Sequence, residues 1–138
     1  MDKQLKNKAV DIKGKAYVQV HDRVLYFNDT YKNGGIATEL ISDPQDARVV
    51  VKATVTPDHA TPDRIFTGYA QEVVGEGFIN KTSALENAET SAVGRALAMM
   101  GIGVIESIAS VDEINKAKTS PQNMADGVPP VPANKMPF

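Results

Sequence analysis

The stretch from Thr82 to Gly103, TSALENAETSAVGRALAMMGIG, decides the fold. It opens with Ser83 and Glu86 at the spacing of a capping box, in which both side chains satisfy free backbone amides at a helix start. Gly101 stands where a left-handed residue ends a helix. The stretch therefore predicts one helix of about five turns. Its apolar residues recur at helical spacing and form a core-facing stripe: Leu85, Ala88, Ala92, Ala96 and Met99.

The opposite face of this helix carries small, mostly neutral side chains, namely Ser83, Asn87, Thr90, Ser91, Gly94 and Ala98. A solvated face normally carries lysine and glutamate, which are better helix formers. Small side chains allow a second backbone or a phosphate to come close. We therefore expect a close-packing face against the protein's own sheet or a neighbouring subunit, with a ligand as the alternative. Its members are Asn87, Thr90, Ser91 and Gly94.

Arg95 is the only positive charge in the stretch and flanks the small-residue face. The residues three and four positions away carry no carboxylate, so the helix offers Arg95 no ion-pair partner. Two interpretations stay open. Arg95 pairs with an acid elsewhere in the fold, or it contacts a bound anion.

The residues before the helix predict antiparallel strands. Alternation in Tyr17–Val20 and Arg23–Phe27, around the polar pair His21-Asp22, predicts a β-hairpin. Further strands are predicted over Ile36–Ser42, Arg48–Thr56 and Arg64–Val74. The fold class is therefore α+β: an antiparallel meander, hairpin plus further strands, packed on one long helix.

The chain divides into three parts. Residues 1–12 are predicted to be a basic leader, and residues 13–118 the α+β domain. A second capping box, Ser110 to Glu113, predicts a short C-terminal helix ending near Ala117. Residues 119–138 are rich in proline and small polar residues, so they predict a disordered tail.

Charge is distributed unevenly along the chain. The net charge of −2 and pI near 5.6 are not those of a basic nucleic-acid binder. However, residues 1–35 hold seven lysines and arginines against four acids, which permits a local basic surface. The chain has no cysteine and no apolar run long enough for a signal peptide or a membrane span. We therefore expect a cytoplasmic protein without a membrane partner.

Catalysis finds little support in the sequence. His21 and His59 lie in predicted turns and lack metal-ligand spacing. The Pro57-Asp58 and Pro62-Asp63 pairs resemble part of a nuclease motif. That motif also needs an acid two residues before a lysine on the next strand, which the strand from Arg64 to Val74 lacks. We expect no enzyme, no catalytic residue, no metal and no cofactor.

A binding surface is the remaining interpretation. Cations that track a phosphate backbone, interleaved with rings that stack on bases, are typical of single-strand binding grooves. Ordinary solvated side chains are the alternative. The cations are Lys13, Lys15, Arg23, Arg48, Lys52, Arg64, Lys81 and Arg95, and the rings are Tyr17, Tyr26, Phe66 and Tyr69.

The segment from Asn80 to Gly103, NKTSALENAETSAVGRALAMMGIG, followed by Ser107–Glu113, resembles phage-encoded single-strand annealing proteins of the superfamily of Erf, RecT and the eukaryotic annealing protein. The resemblance implies homo-oligomeric rings or filaments that bind single-stranded DNA and anneal complementary strands without ATP in recombination and repair. By position in the motif it implies that Arg95 contacts DNA, with Lys81 beside it. The strand pattern adds Lys52 and Arg64. Lys15, Arg23 and Tyr69 complete the predicted DNA-binding set.

Two other functions stay open. One is a single-stranded DNA-binding protein that coats DNA without annealing it. The other is an adaptor or inhibitor of a host replication or repair protein. The Pro137-Phe138 end of the tail is the candidate contact for such a host or phage protein.

Overall fold

The computed structural model describes residues 3–75 and 77–105, of which residues 77–82 are described by their backbone alone. The predicted short helix after Ser110 and the predicted tail lie outside these residues. The fold is α+β with antiparallel strands and a long helix packed on the sheet, as predicted. The elements are α1 Lys3–Asn7, β1 Val10–Ile12, β2 Lys15–Tyr17, α2 Val20–Thr30, β3 Gly35–Leu40, β4 Arg48–Thr56, β5 Phe66–Val73 and α3 Gly77–Met99.

The main sheet has three antiparallel strands in the order β3-β4-β5. The prediction of β4 is confirmed residue for residue, because its period-two pattern is clear. Val51, Ala53 and Val55 are buried on one face of β4, while the intervening residues are half-buried on the other. The buried face is the one on which α3 packs, and it forms the centre of the core.

Helix α3 lies unusually close to β5. Ala88, Ala92 and Ala96 are completely buried. A Cβ atom added at Gly68 of β5 would stand 2.4 Å from the backbone nitrogen of Ala96 and 2.6 Å from the carbonyl oxygen of Ala92. Ala92 and Ala96 opposite Gly68 therefore allow the two backbones to meet directly. The ends of the predicted apolar stripe differ, since Leu85 and Met99 are each half exposed.

The two ends of α3 differ in how well the sequence predicts them. The helix begins at Gly77, before the predicted start, and Ser83 interrupts it with non-helical dihedral angles (φ −143°, ψ 35°). At the other end Gly101 has a φ of 95°, which confirms the predicted left-handed stop. The amide of Ile102 donates to the carbonyl of Leu97 at 3.0 Å and that of Gly101 to Ala98 at 2.9 Å. This is the hydrogen-bond pattern of a Schellman motif.

The predicted hairpin over Tyr17–Phe27 is wrong, because helix α2 occupies most of this range. Val20, Val24, Phe27 and Tyr31 recur at intervals of four, three and four residues, which is a helical period. Phe27 is completely buried, and its ring stacks on Tyr31 with the centroids 5.1 Å apart. Burial of this stripe outweighs the short alternation that predicted strands.

A hairpin does occur, but earlier in the chain. Strands β1 and β2 pair antiparallel around Lys13 and Gly14, which both have positive φ, at 51° and 80°. Two consecutive residues with positive φ are what a type I′ hairpin turn requires. Residues 3–12, which the sequence set apart as a leader, form α1 and β1, and Leu5 of α1 is buried in the core.

Candidate functional site

The face of the sheet that points away from α3 carries mainly polar side chains. We call it the open face. In β4 it follows from the burial alternation, and in the neighbouring strands from their register with β4. A strand directs alternate side chains to opposite faces, so these residues share one surface. They are Gly35, Ala37 and Glu39 of β3, Arg48, Val50, Lys52, Thr54 and Thr56 of β4, and Thr67, Tyr69, Gln71 and Val73 of β5.

Lys52 and Tyr69 form a cross-strand pair at the centre of the open face. They are directly opposite in register. The Lys52 Nζ atom lies 5.8 Å from the centroid of the Tyr69 ring, a cation–π distance, and Tyr69 is 53% exposed. A large ring that stays half in solvent beside an ammonium group offers a stacking surface and a positive charge at one point.

Glu39 reduces the positive charge of the open face. It pairs in register with Lys52 from the other side, on β3. Within residues 3–75 and 77–105, no ion pair joins Lys52 to Glu39. The ammonium group of Lys52 therefore lies against a ring, and its charge is not neutralised by direct contact with Glu39.

Arg64 does not lie on the open face with Lys52 and Tyr69. Its guanidinium carbon stands 5.0 Å from the centroid of the Phe66 ring. Phe66 pairs with Val55, a residue of the buried face, and packs against the core. Arg64 and Phe66 thus belong to the start of β5 on the helix side of the sheet.

Arg95 also lies on the helix side. It is half-buried on α3, and its Cβ atom would be 2.9 Å from a Cβ atom added at Gly68. The sheet therefore separates Arg95 from the open face. The side chain of Lys81 lies outside the described residues. The prediction that Lys81 lies beside Arg95 therefore stays a prediction.

Arg23 is buried, which does not fit the predicted role as a DNA contact. Its side chain is 3% exposed. Its Nε donates to the carbonyl of Val18 and one terminal nitrogen to the carbonyl of Gly94, both at 2.9 Å, and its guanidinium lies over the Tyr17 ring at 5.2 Å. Burial lowers the pKa of the Arg23 guanidinium. Arg23 instead joins α2 to α3 and to the segment before α2.

The residues of the predicted close-packing face contact different neighbours within the same chain. A Cβ atom at Gly94 would stand 2.8 Å from a methyl group of Val20, and Ser91 is buried. Asn87 donates from Nδ2 to Oε1 of the buried Glu72 at 2.9 Å. Thr90 is exposed. Small residues thus bring α2 close to α3, and Asn87 turns towards β5.

A second positive surface lies in the N-terminal elements. Lys15 belongs to β2, and Lys13 occupies the turn of the β1–β2 hairpin. Residues 3–15 contain five lysines, all exposed, and Asp11 as their one acid. We call this the lysine segment. The sequence pattern did not predict it as a unit, because residues 1–12 were expected to be a basic leader and only residues from 13 onward part of the domain.

A metal centre and a membrane-spanning helix are both absent from the part of the chain that the structure describes. Residues 3–75 and 77–105 contain no group of three histidine, aspartate or glutamate side chains placed to hold a metal ion. The same residues include no helix with the length and hydropathy needed to cross a bilayer.

Comparison with protein families identifies the domain. A family model described as Slr1353 N-terminal dsRNA-binding domain-like matches residues 24–100, which is more than half of the chain. The chain belongs to this family. The residues that match the Slr1353 N-terminal model run from within α2 to the end of α3 and include the whole three-stranded sheet. No curated protein and no solved structure matches the chain.

Membership of the Slr1353 N-terminal family corrects the resemblance drawn from the sequence. The assignment to annealing proteins of the Erf and RecT superfamily is wrong, because the family that matches is described as dsRNA-binding domain-like. The helix motif that carried the resemblance lies mostly inside the matched range. The small residues of this motif allow α3 to pack closely on β5 and α2. Any fold with such close contacts needs small residues there, so they do not identify a family. A nucleic-acid-binding type of domain is common to both assignments.

Charge in the Slr1353 N-terminal-like range is negative overall. Residues 24–100 contain six lysines and arginines against ten aspartates and glutamates. The lysine segment lies outside the matched range. Two of the six cations of residues 24–100, Arg48 and Lys52, lie on the open face, and the lysine segment adds five more cations outside the matched range.

Proposed function

We propose that this protein binds single-stranded nucleic acid, tested first as single-stranded DNA, on the open face of its sheet. The observation that carries the proposal is the Lys52–Tyr69 pair, a half-exposed ring with an ammonium group at its side. Proteins that bind single strands combine a stacking ring with cations that follow the backbone. Arg48, four residues from Lys52 on the same face of β4, supplies a further cation.

The chemistry of the open face favours an unpaired strand over a duplex. A ring stacks on a base only when that base is free of its neighbours, whereas double-stranded RNA is recognised mostly through phosphates and 2′-hydroxyl groups. Duplex binding therefore needs many cations along one surface. The open face has two cations and one acid, which suits a short contact with a flexible strand better.

The lysine segment supplies the long-range attraction in this proposal. Its five exposed lysines neutralise phosphates without reading sequence. Lys13 lies in the turn of the β1–β2 hairpin and Lys15 directly follows the turn. We propose that they hold the strand beside the stacking contact.

Binding of a fluorescent DNA strand of about 16 nucleotides, followed by anisotropy, tests the stacking contact. Stacking of one base on a ring is worth about 1–3 kcal/mol, so we expect Tyr69→Ala to weaken binding roughly tenfold or more. Tyr69→Phe keeps the ring and should bind like the parent protein. Lys32→Ala removes an exposed cation far from the site in sequence and serves as the charge control. Equal affinities of Tyr69→Ala and the parent would refute the site.

Double-stranded RNA is a second candidate, favoured by the description of the matching family. A competition experiment separates the two. Unlabelled double-stranded RNA of about 16 base pairs and unlabelled single-stranded DNA are compared as competitors at one salt concentration. Stronger competition by the duplex, with no effect of Tyr69→Ala, would favour double-stranded RNA and a surface other than the open face.

Self-association and annealing are finer proposals that need their own measurements. Several weak contacts add along one strand when subunits associate, so an oligomer would compensate for the few cations of each chain. Light scattering with and without an oligonucleotide measures the assembly. In a fluorescence assay with complementary strands, annealing would speed up pairing and simple coating would slow it down.

A function as an adaptor predicts instead a stable complex with a replication or repair protein and no salt-sensitive DNA binding.

We also propose that binding is not coupled to catalysis. Labelled DNA incubated with the protein and magnesium should stay intact. Cleavage that depends on a carboxylate of the protein would contradict this.

A further inference from the structure

One acidic side chain lies at the centre of the open face. Glu39 of β3, Lys52 of β4 and Tyr69 of β5 are directly opposite one another in register, so they form a row across the three strands. Glu39 is exposed and is the single acid among the residues of the open face. Neighbouring strands are about 4.8 Å apart, so the row from Tyr69 to Glu39 spans about 10 Å. A ring, a cation and a carboxylate are thus gathered within the width of the sheet.

The carboxylate of Glu39 opposes the binding of phosphates to this face, because like charges that come close repel each other. The ammonium group of Lys52 does not neutralise it by direct contact. That group lies 5.8 Å from the centroid of the Tyr69 ring, and no ion pair between described residues joins it to Glu39. The carboxylate therefore remains an acceptor for hydrogen-bond donors of a ligand.

A carboxylate that is free to accept hydrogen bonds matches the edge of one base better than the others. The Watson–Crick edge of guanine has two adjacent donors, N1–H and the 2-amino group, and a carboxylate accepts two parallel N–H bonds in bidentate geometry. Thymine has one N–H between two carbonyl oxygens, which repel a carboxylate. Adenine and cytosine place their amino group beside a ring nitrogen that is an acceptor. This edge is accessible in an unpaired strand, where the base is free to stack on an aromatic ring.

We propose that Glu39 is a specificity-determining residue, which accepts hydrogen bonds from N1–H and the 2-amino group of a guanine stacked on Tyr69. Such recognition rests on the proposed function, the binding of an unpaired strand by the open face, and adds a base preference to it. The two hydrogen bonds of guanine compensate for the repulsion between Glu39 and the phosphates. Bases without two adjacent donors meet the repulsion alone, so the acid discriminates against them.

Replacing guanine by hypoxanthine tests the proposal, because hypoxanthine keeps the purine ring and lacks the 2-amino group. The probes are fluorescent thymine strands of equal length that carry isolated guanines, or hypoxanthines at the same positions. Their affinities for the full-length protein are measured by anisotropy at one salt concentration. We expect the guanine strand to bind at least about fivefold more tightly than the hypoxanthine strand. In Glu39→Gln the two affinities should become equal, since an amide has one acceptor oxygen and cannot bind both donors.

Glu86→Gln is the matched control, because it removes the same charge from an exposed position of α3, which packs on the other face of the sheet. It should keep the preference for guanine. Equal affinities of the parent protein for the two strands would overturn the proposal. A Glu39→Gln protein that gains the same affinity for both strands would also overturn it, because Glu39 would then act by repulsion alone.

The Tyr69→Ala protein distinguishes this failure from a failure of the proposed function. If it binds both strands more weakly than the parent while the parent shows no preference, the open face binds single strands without recognising guanine. If the parent binds neither strand, or if Tyr69→Ala binds both strands as tightly as the parent, the proposed site and the role of Glu39 are both refuted.

Discussion

Single residues set the distance between the helix and the sheet. Gly68 shows this most clearly, because a methyl group there would meet backbone atoms of α3 at 2.4 and 2.6 Å. Backbone atoms of a packed helix cannot turn away as a flexible side chain can. The close contact therefore requires both the buried alanines Ala92 and Ala96 on the helix and the glycine opposite them on the strand.

We expect Gly68→Ala to lower the free energy of unfolding by about 3 kcal/mol, at the upper end of the usual cost of overpacking. Urea unfolding followed by circular dichroism measures this change. Thr67→Ala, one residue away and on the open face, should change the stability much less. A Gly68→Ala protein as stable as the parent would mean that α3 and β5 are further apart than the structure shows.

Arg23 is the second residue whose substitution we expect to destabilise the fold, because it is buried and does not face solvent. Arg23→Met should cost about 3 kcal/mol, since the carbonyl groups of Val18 and Gly94 lose their charged donor inside the protein. Arg23→Lys should also destabilise the protein, because an ammonium group cannot reproduce the fork of the guanidinium. Chemical denaturation measures both variants.

Nucleic-acid binding by the Arg23 variants separates this structural role from a phosphate contact. At a temperature where Arg23→Lys is folded, its affinity for single-stranded DNA should equal that of the parent. A loss of affinity in the folded variant would contradict a purely structural role.

At the scale of the elements, sequence periodicity correctly predicts a helix or strand where the apolar positions of the pattern are the positions that the fold buries. β4 alternates except at Val50, and its bounds were predicted without error. The stretch Tyr17–Phe27, which overlaps the start of α2, alternates over short ranges, but the core buries the helical stripe that ends at Tyr31. The local pattern could not decide between a strand period and a helical period. The deciding contacts are those of Phe27 with core residues that are distant in sequence.

The site was predictable only in part, for a related reason. Strand alternation placed Thr67 and Tyr69 on one face of β5, and Lys52 with Thr54 on one face of β4. The register that sets Lys52 opposite Tyr69 depends on the long β4–β5 connection, whose geometry no local pattern fixes. The burial of Arg23 had no sequence signal, because a lone arginine on a predicted strand reads as a solvent-exposed cation.

A carboxylate in the β4–β5 loop makes the stability of the fold depend on pH. In the β4–β5 loop the carboxylate of Asp58 accepts hydrogen bonds from the amide of Ala60 at 2.9 Å and from Nδ2 of Asn33 at 2.7 Å, and these bonds lower the pKa of Asp58. A carboxyl whose pKa is lower in the folded state stabilises the fold above its unfolded pKa. This contribution is lost as the pH falls through the folded pKa, below about pH 4.

An NMR titration of the side-chain carboxyl groups measures this pKa directly. In Asn33→Ala we expect the pKa of Asp58 to rise towards its ordinary value, because one of the two donors is gone. Asp63, in the same connection, serves as the reference carboxyl. An unchanged midpoint for Asp58 would show that the contact with Asn33 does not persist in solution.

At the scale of the whole molecule, an acidic body carries positive charge in two places. If the protein binds single-stranded DNA through phosphates, the logarithm of the association constant should fall linearly with the logarithm of the salt concentration. The slope is about −0.7 per phosphate neutralised. Lys52→Ala should make this slope shallower by about 0.7, and so should Lys15→Ala. Affinities measured by anisotropy over a series of salt concentrations give the slopes. Slopes unchanged in both variants would contradict the assignment of these lysines as phosphate contacts.

The separation of the lysine segment from the acidic range 24–100 also has a kinetic consequence. A polyanion that approaches the protein is repelled by the net negative charge of residues 24–100 and attracted by the five lysines of the lysine segment, so it is oriented before contact. Added salt should then act chiefly on how often productive collisions occur, and much less on how long a formed complex survives.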